Sequence, residues 1–163
     1  MIKRFKEWIV LKEKLHTVSY NKTPYFKEGE IWWCSIGDNV GSEINGKSGY
    51  FSRPILVFKK FNKNLFFGIP LTSKPKMGTW FVGISFLNKT QTIVLSQART
   101  LDAARIKDLI GQCDESDFEK IKAGFSQLYL NISPNKGRSW EIPKNLLLYL
   151  NKIIIHVKSK FKI

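Results

Sequence analysis

Between residues 31 and 95, short apolar runs alternate with polar segments that contain glycine and proline. The runs are residues 31–36, 54–61, 65–71, 80–87 and 92–95. Short runs bounded by such turn signals are typical of β-strands. Residues 62–64 (Asn-Lys-Asn) predict a tight hairpin, and residues 38–52 and 74–79 predict loops. Five short strands in so short a segment predict a small β-barrel or sandwich.

Outside these strands, apolar residues recur at helical spacing. Residues 4–15 predict a short amphipathic helix, and residues 101–109 predict a second one that ends at Gly111. Ser116 and Glu119 have the spacing of a capping box, which predicts the start of a third helix. Its apolar stripe, which we expect to pack on the strands, consists of Phe118, Ile121, Phe125, Leu128 and Ile132.

The pattern divides the chain into three parts. Residues 1–27 form an N-terminal helical extension and linker, residues 28–132 the main domain, and residues 133–163 a basic amphipathic tail. In the tail, Pro143 stands where a last helix could begin. The apolar stripe that follows could dock on the core, lie on a membrane surface or bind a partner.

Positive charge is concentrated at the two ends of the chain. Of the formal charge of +14, residues 1–27 carry +5, residues 28–130 carry +3 and residues 131–163 carry +6. A basic chain attracts nucleic acid, anionic lipid or an acidic protein partner. The alternative is that the lysines only keep the protein in solution.

The distribution of cysteine and histidine argues against several classes of protein. Cys34 and Cys113 form no CxxC pair, so neither a zinc site nor a disulfide framework is indicated, and a cytoplasmic location is the simplest interpretation. His16 and His156 both lie in the extensions, which argues against a paired-histidine nuclease. No carboxylate cluster indicates a metal, and no cofactor is expected. The most apolar segment, residues 146–157, is interrupted by polar residues, so no membrane span is expected.

Five segments, in order along the chain, resemble motifs of the MazF/PemK/Kid toxin family. They are residues 29–32 (Gly-Glu-Ile-Trp), 41–43 (Gly-Ser-Glu), 53–57 (Arg-Pro-Ile-Leu-Val), 69–73 (Ile-Pro-Leu-Thr-Ser) and 95–102 (Leu-Ser-Gln-Ala-Arg-Thr-Leu-Asp). Each motif alone is weak, but five in register are fairly specific. The resemblance covers roughly residues 28–130 and leaves both extensions outside it.

This resemblance implies a mainly β fold with helices: an SH3-like small β-barrel, here with N-terminal and C-terminal helical extensions. It also implies a homodimer that cleaves single-stranded RNA sequence-selectively and without metal. In such cleavage the 2′-hydroxyl attacks the neighbouring phosphorus, leaving a 2′,3′-cyclic phosphate and a 5′-hydroxyl. The partner that the family implies is a cognate antitoxin, whose extended acidic segment covers the active groove.

The resemblance assigns catalytic roles to three residues. Arg53 matches the family's catalytic arginine, whose fixed guanidinium suits the extra charge on the phosphoryl oxygens. Thr72 matches the catalytic threonine at a strand end. Glu43 is a candidate general base, but ten positions separate it from Arg53, roughly twice the family spacing. Alternatively, Arg53 is only a surface arginine before a strand, and Thr72 is present for its strand propensity. Glu43 could also be misplaced by the longer loop.

The candidate RNA-binding residues lie in the longer loop and at two strand ends. Lys47, Tyr50 and Phe51 belong to the inserted part of the loop, where a lysine and exposed aromatic rings can hold a phosphate and stack on bases. Alternatively, the two aromatic rings only anchor the loop to the core. Ser73 lies beside Thr72 and could assist it. Gln97 and Arg99 match family positions after the fifth strand. Alternatively, Gln97 ties down a loop and Arg99 pairs with a neighbouring aspartate.

Three other functions are compatible with the same sequence. A CcdB-like toxin shares the fold but poisons DNA gyrase without cutting RNA. A non-catalytic SH3-like module would bind nucleic acid only. A degenerate toxin would keep the fold and lose the activity.

Overall fold

The computed structural model describes residues 3–18 and 23–130, and these form seven strands and two α-helices. The elements are α1 (Phe5–His16), β1 (Glu30–Ser35), β2 (Ser52–Lys60), β3 (Leu65–Thr72), β4 (Phe81–Phe86), β5 (Lys89–Val94), β6 (Arg99–Asp102), β7 (Ile106–Gln112) and α2 (Glu115–Leu130). Short 3₁₀ turns occupy Leu95–Gln97 and Ala103–Arg105. The helix predicted after Pro143 lies outside the described residues. No helix among the described residues is long and apolar enough to cross a membrane.

The strands pair antiparallel in the order β4-β5-β3-β2-β1-β7, and β6 pairs with β3. Strand β3 is the branch point, because its first half (65–68) pairs with β6 and its end (71–72) pairs with β5. The predicted mainly β fold with helices is confirmed. Among the described strands no pairing joins β4 to β7, so the sheet is open and a closed barrel is not confirmed.

The central strands bury side chains on both faces, which explains why their sequences are almost continuously apolar. Neighbouring residues such as Trp32 and Ile31, or Ile55 and Leu56, enter two different core clusters because successive side chains point to opposite faces. Helix α2 covers the second cluster, against which Phe118, Phe125 and Leu128 pack, and Ile121 is fully buried within it. The predicted stripe on this helix is therefore confirmed, except for Ile132, which lies outside the described residues.

The predicted helix over residues 101–109 is wrong. The segment instead forms β6, a 3₁₀ turn and β7, and Gly111 lies within β7 opposite Ile31 of β1. Asp102 accepts a hydrogen bond from the Ala104 amide and so stabilises the turn between the strands. The open edges of β1 and β3 supply the backbone partners, and this long-range pairing overrides the local helical spacing.

The predicted capping box is also wrong, because the helix begins one residue earlier than Ser116. Helix α2 begins at Glu115, so Ser116 lies inside its first turn. The acidic side chain that matters there is Asp117, which is buried and bonds outside the helix. It accepts from the backbone amide of Ser85 on the edge strand β4 (3.0 Å) and from Lys120 Nζ (2.7 Å).

We expect Asp117→Ala to lower the free energy of unfolding at pH 7 by about 1–3 kcal/mol, because the link between α2 and β4 is lost. The bond from Lys120 and the amide of Ser85 hold the pKa of the Asp117 carboxyl below its usual value. The carboxylate therefore stabilises the fold above its unfolded-state pKa, and this contribution disappears as the pH falls through the lowered value. Urea titrations at pH 7 and below pH 4 measure both effects.

Glu119→Ala is the matched control, because Glu119 also pairs with a lysine three residues on, namely Lys122, but is exposed. We expect it to cost less than about 1 kcal/mol. An equal loss in both variants would show that the link to β4 contributes nothing.

Candidate active site

An open groove of about 900 Å³ lies where the ends of β2 and β3 meet β7 and the β4–β5 hairpin. The loop of residues 36–51, which connects β1 to β2 and is called the groove loop from here on, forms one wall. It contributes Lys47, Ser48 and Tyr50 to the lining. Arg53, Thr72 and Ser73 lie on the lining contributed by β2 and β3, so five of the eight predicted site residues meet in one place.

Arg53 lies near the start of β2, opposite Cys34 of β1. Its half-buried guanidinium donates from Nε to the carbonyl of Asn45 (2.8 Å) and from Nη1 to the carbonyl of Leu71 (3.1 Å). Burial lowers the pKa of this arginine, although a guanidinium stays charged at neutral pH. Within the described chain no carboxylate lies within 4.0 Å of it. The result is a fixed cation with its charge directed to the groove.

Thr72 ends β3, directly after the carbonyl that Arg53 holds. Its backbone is fixed by pairing with Thr92 of β5, and its Oγ1 accepts from the amide of Lys74 (3.3 Å). Because Oγ1 accepts that bond, its own proton remains available as a donor. The end of β3 thus places a hydroxyl next to the carbonyl that the guanidinium binds.

The groove loop presents Tyr50 to solvent, with 64% of its surface exposed. Lys107 Nζ of β7 lies 3.5 Å from the centre of the Tyr50 ring. Burial lowers the pKa of Lys107, and Asp108 partly opposes that effect. A lysine stacked on an exposed aromatic ring offers a charge for a phosphate and a flat face for a base.

Four charged or exposed aromatic residues of the lining were not among the predicted site residues. Lys107 and Asp108 fall in the segment misassigned as a helix, and Lys89 begins β5 before the residues predicted for that strand. Trp33 was assigned to an apolar run without regard to its face. Strand alternation with its buried neighbours Trp32 and Cys34 would have placed it outward.

Glu43 does not line the groove. It is exposed, and its carboxylate accepts from the amide of Val40 (3.3 Å), so it caps a turn within the groove loop. The carboxylate that the described part of the chain contributes to the lining is Asp108.

Gln97 and Arg99 also lie outside the groove lining. Gln97 accepts from the amide of Ile44 (3.0 Å), and Arg99 donates to the carbonyl of Ile36 (3.1 Å). The pKa of Arg99 is lowered mainly by burial and then by the neighbouring Arg105. Both side chains therefore anchor the groove loop, as the alternative interpretation of Gln97 proposed.

The described residues contain no group of three His, Cys, Asp or Glu side chains that could hold a metal ion. Cys34 and Cys113 are both buried and free. Burial raises the pKa of the Cys34 thiol, and it raises the pKa of the Cys113 thiol to about 11, with Asp117 and Asp114 adding to the effect. Both thiols are therefore protonated at neutral pH.

An open antiparallel sheet that carries an arginine and a threonine on one basic groove is the arrangement expected of a small toxin of the MazF type. The family model for the PemK-like, MazF-like toxin of type II toxin-antitoxin systems matches residues 27–129. The chain therefore belongs to this toxin family. Helix α1 precedes the matched segment.

Solved structures agree with this fold. MazF from Deinococcus radiodurans has a TM-score of 0.57 and 20% identity, covering 67% of this chain and 99% of that one. An endoribonuclease from a mycobacterial species, solved in complex with its cognate antitoxin, has a TM-score of 0.53 and 15% identity, covering 68% and 99%. Comparison with curated protein sequences gives no match.

Proposed function

We propose that this chain is the toxin of a type II toxin-antitoxin system and acts as a sequence-selective endoribonuclease on single-stranded RNA, including mRNA. The observation that carries the proposal is the meeting of Arg53 and Thr72 at the end of β3, in a groove open to solvent. A solved structure with a similar fold is described as an endoribonuclease in complex with its cognate antitoxin, which supports the proposal.

The charge of the groove supports a nucleic-acid substrate. Among the described residues, its lining carries four cations and one carboxylate: Lys47, Arg53, Lys89, Lys107 and Asp108. An excess of positive charge attracts a phosphate backbone and raises the rate of encounter. Tyr50 and Trp33 add exposed rings on which unpaired bases can stack, and stacking favours a single strand.

The chemistry proposed for this site is an internal transfer. The 2′-oxygen of the RNA loses its proton and attacks the adjacent phosphorus, while the bond to the 5′-oxygen breaks and that oxygen gains a proton. The products are a 2′,3′-cyclic phosphate and a 5′-hydroxyl, and no metal takes part. The Arg53 guanidinium stabilises the negative charge that builds on the phosphoryl oxygens. The Thr72 hydroxyl donates to one of those oxygens.

The assembly that we propose follows the family. The toxin forms a homodimer in the cytoplasm, and an antitoxin with an acidic extended segment covers the groove until it is removed. The excess of cations in the lining supports an acidic partner.

A long single-stranded RNA of known sequence, incubated with the full chain in EDTA, tests the activity. Mapping of the new ends should show discrete cuts with 5′-hydroxyl ends. Intact RNA over a wide range of protein concentration would contradict the proposal. Inhibition of DNA gyrase in that case would favour a CcdB-like toxin, and RNA binding without cleavage would favour a non-catalytic module.

We expect Thr72→Val to lower the cleavage rate by about 10- to 100-fold, because the hydroxyl bond to a charged phosphoryl oxygen is lost while shape and strand propensity are kept. Initial rates on a short RNA that contains one mapped site measure the loss. Thr100→Val is the control, since Thr100 is exposed on β6 outside the groove. Equal cleavage rates for the two variants would show that the Thr72 hydroxyl takes no part in the reaction.

A further inference from the structure

Helix α1 packs on the groove loop, although it precedes the family segment of residues 27–129. The contact begins at the helix N-terminus, where the amide of Arg4 donates to the carboxylate of Asp38 (2.6 Å). Asp38 is a buried residue, so this bond stabilises a carboxylate that is otherwise removed from water. Lys3 adds a bond from Nζ to the carbonyl of Asn39 (2.8 Å).

The side chain of Arg4 reaches further along the same loop. Its Nη2 donates to the carbonyl of Ser48 (2.7 Å), and its guanidinium lies 4.3 Å from the centre of the Phe51 ring. Arg4 therefore contacts the loop near both of its ends, through Asp38 and through residues 48 and 51. A planar guanidinium stacks flat on a ring while its outer nitrogen donates in the guanidinium plane, and the shorter, compact ammonium group of a lysine does not reproduce this geometry.

Trp8 forms the apolar part of the contact. It is buried, and its ring lies 5.6 Å from that of Phe51, which is itself 1% exposed. Trp8 also packs against Gly37, where a Cβ atom would come within 2.3 Å of the indole. The close fit of indole, glycine and phenylalanine fixes α1 directly against the two ends of the groove loop.

The loop segment that α1 contacts also forms a wall of the groove. Ser48, whose carbonyl Arg4 holds, itself lines the groove, and so do Lys47 and Tyr50 on either side of it. Ser48 and Phe51 have φ angles of +61° and +49°, a region that costs energy for residues with a Cβ atom. Contacts from outside the loop are needed to hold such a backbone in one conformation.

We propose that α1 is a positioning clamp, in which Arg4 and Trp8 hold the groove loop in the shape that presents Lys47 and Tyr50 to RNA. The clamp rests on the proposed RNA-cleaving function, to which it assigns a role for a segment outside the family fold. Arg4 and Trp8 are positioning residues: they act through the loop and do not line the groove. The clamp therefore affects substrate binding more than the chemical step at Arg53.

Arg4→Ala in the full chain tests the clamp through hydrogen exchange of the loop amides and through steady-state cleavage of a short RNA. We expect amide exchange in residues 38–51 to rise about tenfold and KM to rise about tenfold, because a charge-assisted bond is lost. The kcat should stay within about twofold, since the interaction lost acts on binding. Lys6→Ala, which removes the same charge from the exposed side of α1, should change neither quantity.

Arg4→Lys separates a clamp from simple attraction of RNA by charge. The lysine keeps the charge but loses the planar fork that reaches Ser48 and stacks on Phe51, so we expect loop exchange and KM to stay raised. Unchanged loop exchange in Arg4→Ala overturns the clamp. So does an equal rise of KM in Arg4→Ala and Lys6→Ala. If the wild-type chain cleaves no RNA, the proposed function fails, while hydrogen exchange still decides whether α1 holds the loop.

Discussion

Arg53→Ala should lower the rate of RNA cleavage by about 100- to 1000-fold while the protein stays folded, because removal of one preorganised donor at a developing oxyanion typically costs that much. Since the charge builds in the transition state, we expect the loss in kcat rather than in RNA affinity. Single-turnover cleavage of an RNA with one mapped site measures the chemical step directly. Cleavage by Arg53→Ala at the wild-type rate would contradict the proposed mechanism.

The two carbonyls that Arg53 binds allow a different explanation of the same loss. Without the side chain, the carbonyls of Asn45 and Leu71 lose their partner, and the groove loop could shift. Arg99→Ala is the matched control, because Arg99 is also half-buried and also bonds a loop carbonyl, but lies outside the groove lining. We expect Arg99→Ala to keep cleavage within about tenfold, since only one neutral carbonyl, that of Ile36, loses its donor. Equal inactivation of both variants would make loop anchoring, not chemistry, the role of Arg53.

The sequence predicted correctly those strands that are apolar along their whole length and are flanked by turn-forming residues. The predicted run 65–71 is almost the whole of β3 (Leu65–Thr72), because Asn62 and Asn64 precede it, Pro75 follows it and both of its faces are covered. Strand β5 was predicted too short, at residues 92–95 instead of Lys89–Val94. Its first half is polar and is held by pairing with β4, which no local pattern reveals.

Strand β7 shows what the sequence could not predict and why this matters for the site. Its apolar residues Ile106, Leu109 and Ile110 have helical spacing, but the strand is formed by pairing with β1, about 75 residues away in the chain. Assigning a helix there hid Lys107 and Asp108, which face the groove only because β7 runs along its edge. The motifs located Arg53 and Thr72 because both are fixed within a single hairpin. The position of Glu43 depends on how the long groove loop folds, and the Gly-Ser-Glu motif does not predict the conformation of that loop.

Phe66→Ala should lower the free energy of unfolding by about 3–5 kcal/mol, the usual cost of removing a buried aromatic ring. Phe66 is fully buried on β3, its ring lies 5.1 Å from that of Phe26, and its strand pairs with both β2 and β6. A small domain has only about 5–15 kcal/mol of stability, so this one cavity removes a large share. Urea denaturation measures the change, and a constant slope with denaturant confirms that the two variants unfold in the same way.

Phe61→Ala is the control for that loss. Phe61 belongs to the turn of the same β2–β3 hairpin but is 54% exposed, so its removal should change stability by no more than about 0.5 kcal/mol. Similar losses in both variants would contradict the assignment of Phe66 to the core. Well below its unfolding temperature, Phe66→Ala should still cleave RNA, because the ring supports β3 without touching the groove at its end. Two residues of the same strand would then have different roles: Phe66 stabilises β3 near its start, and Thr72 at its end acts on the RNA.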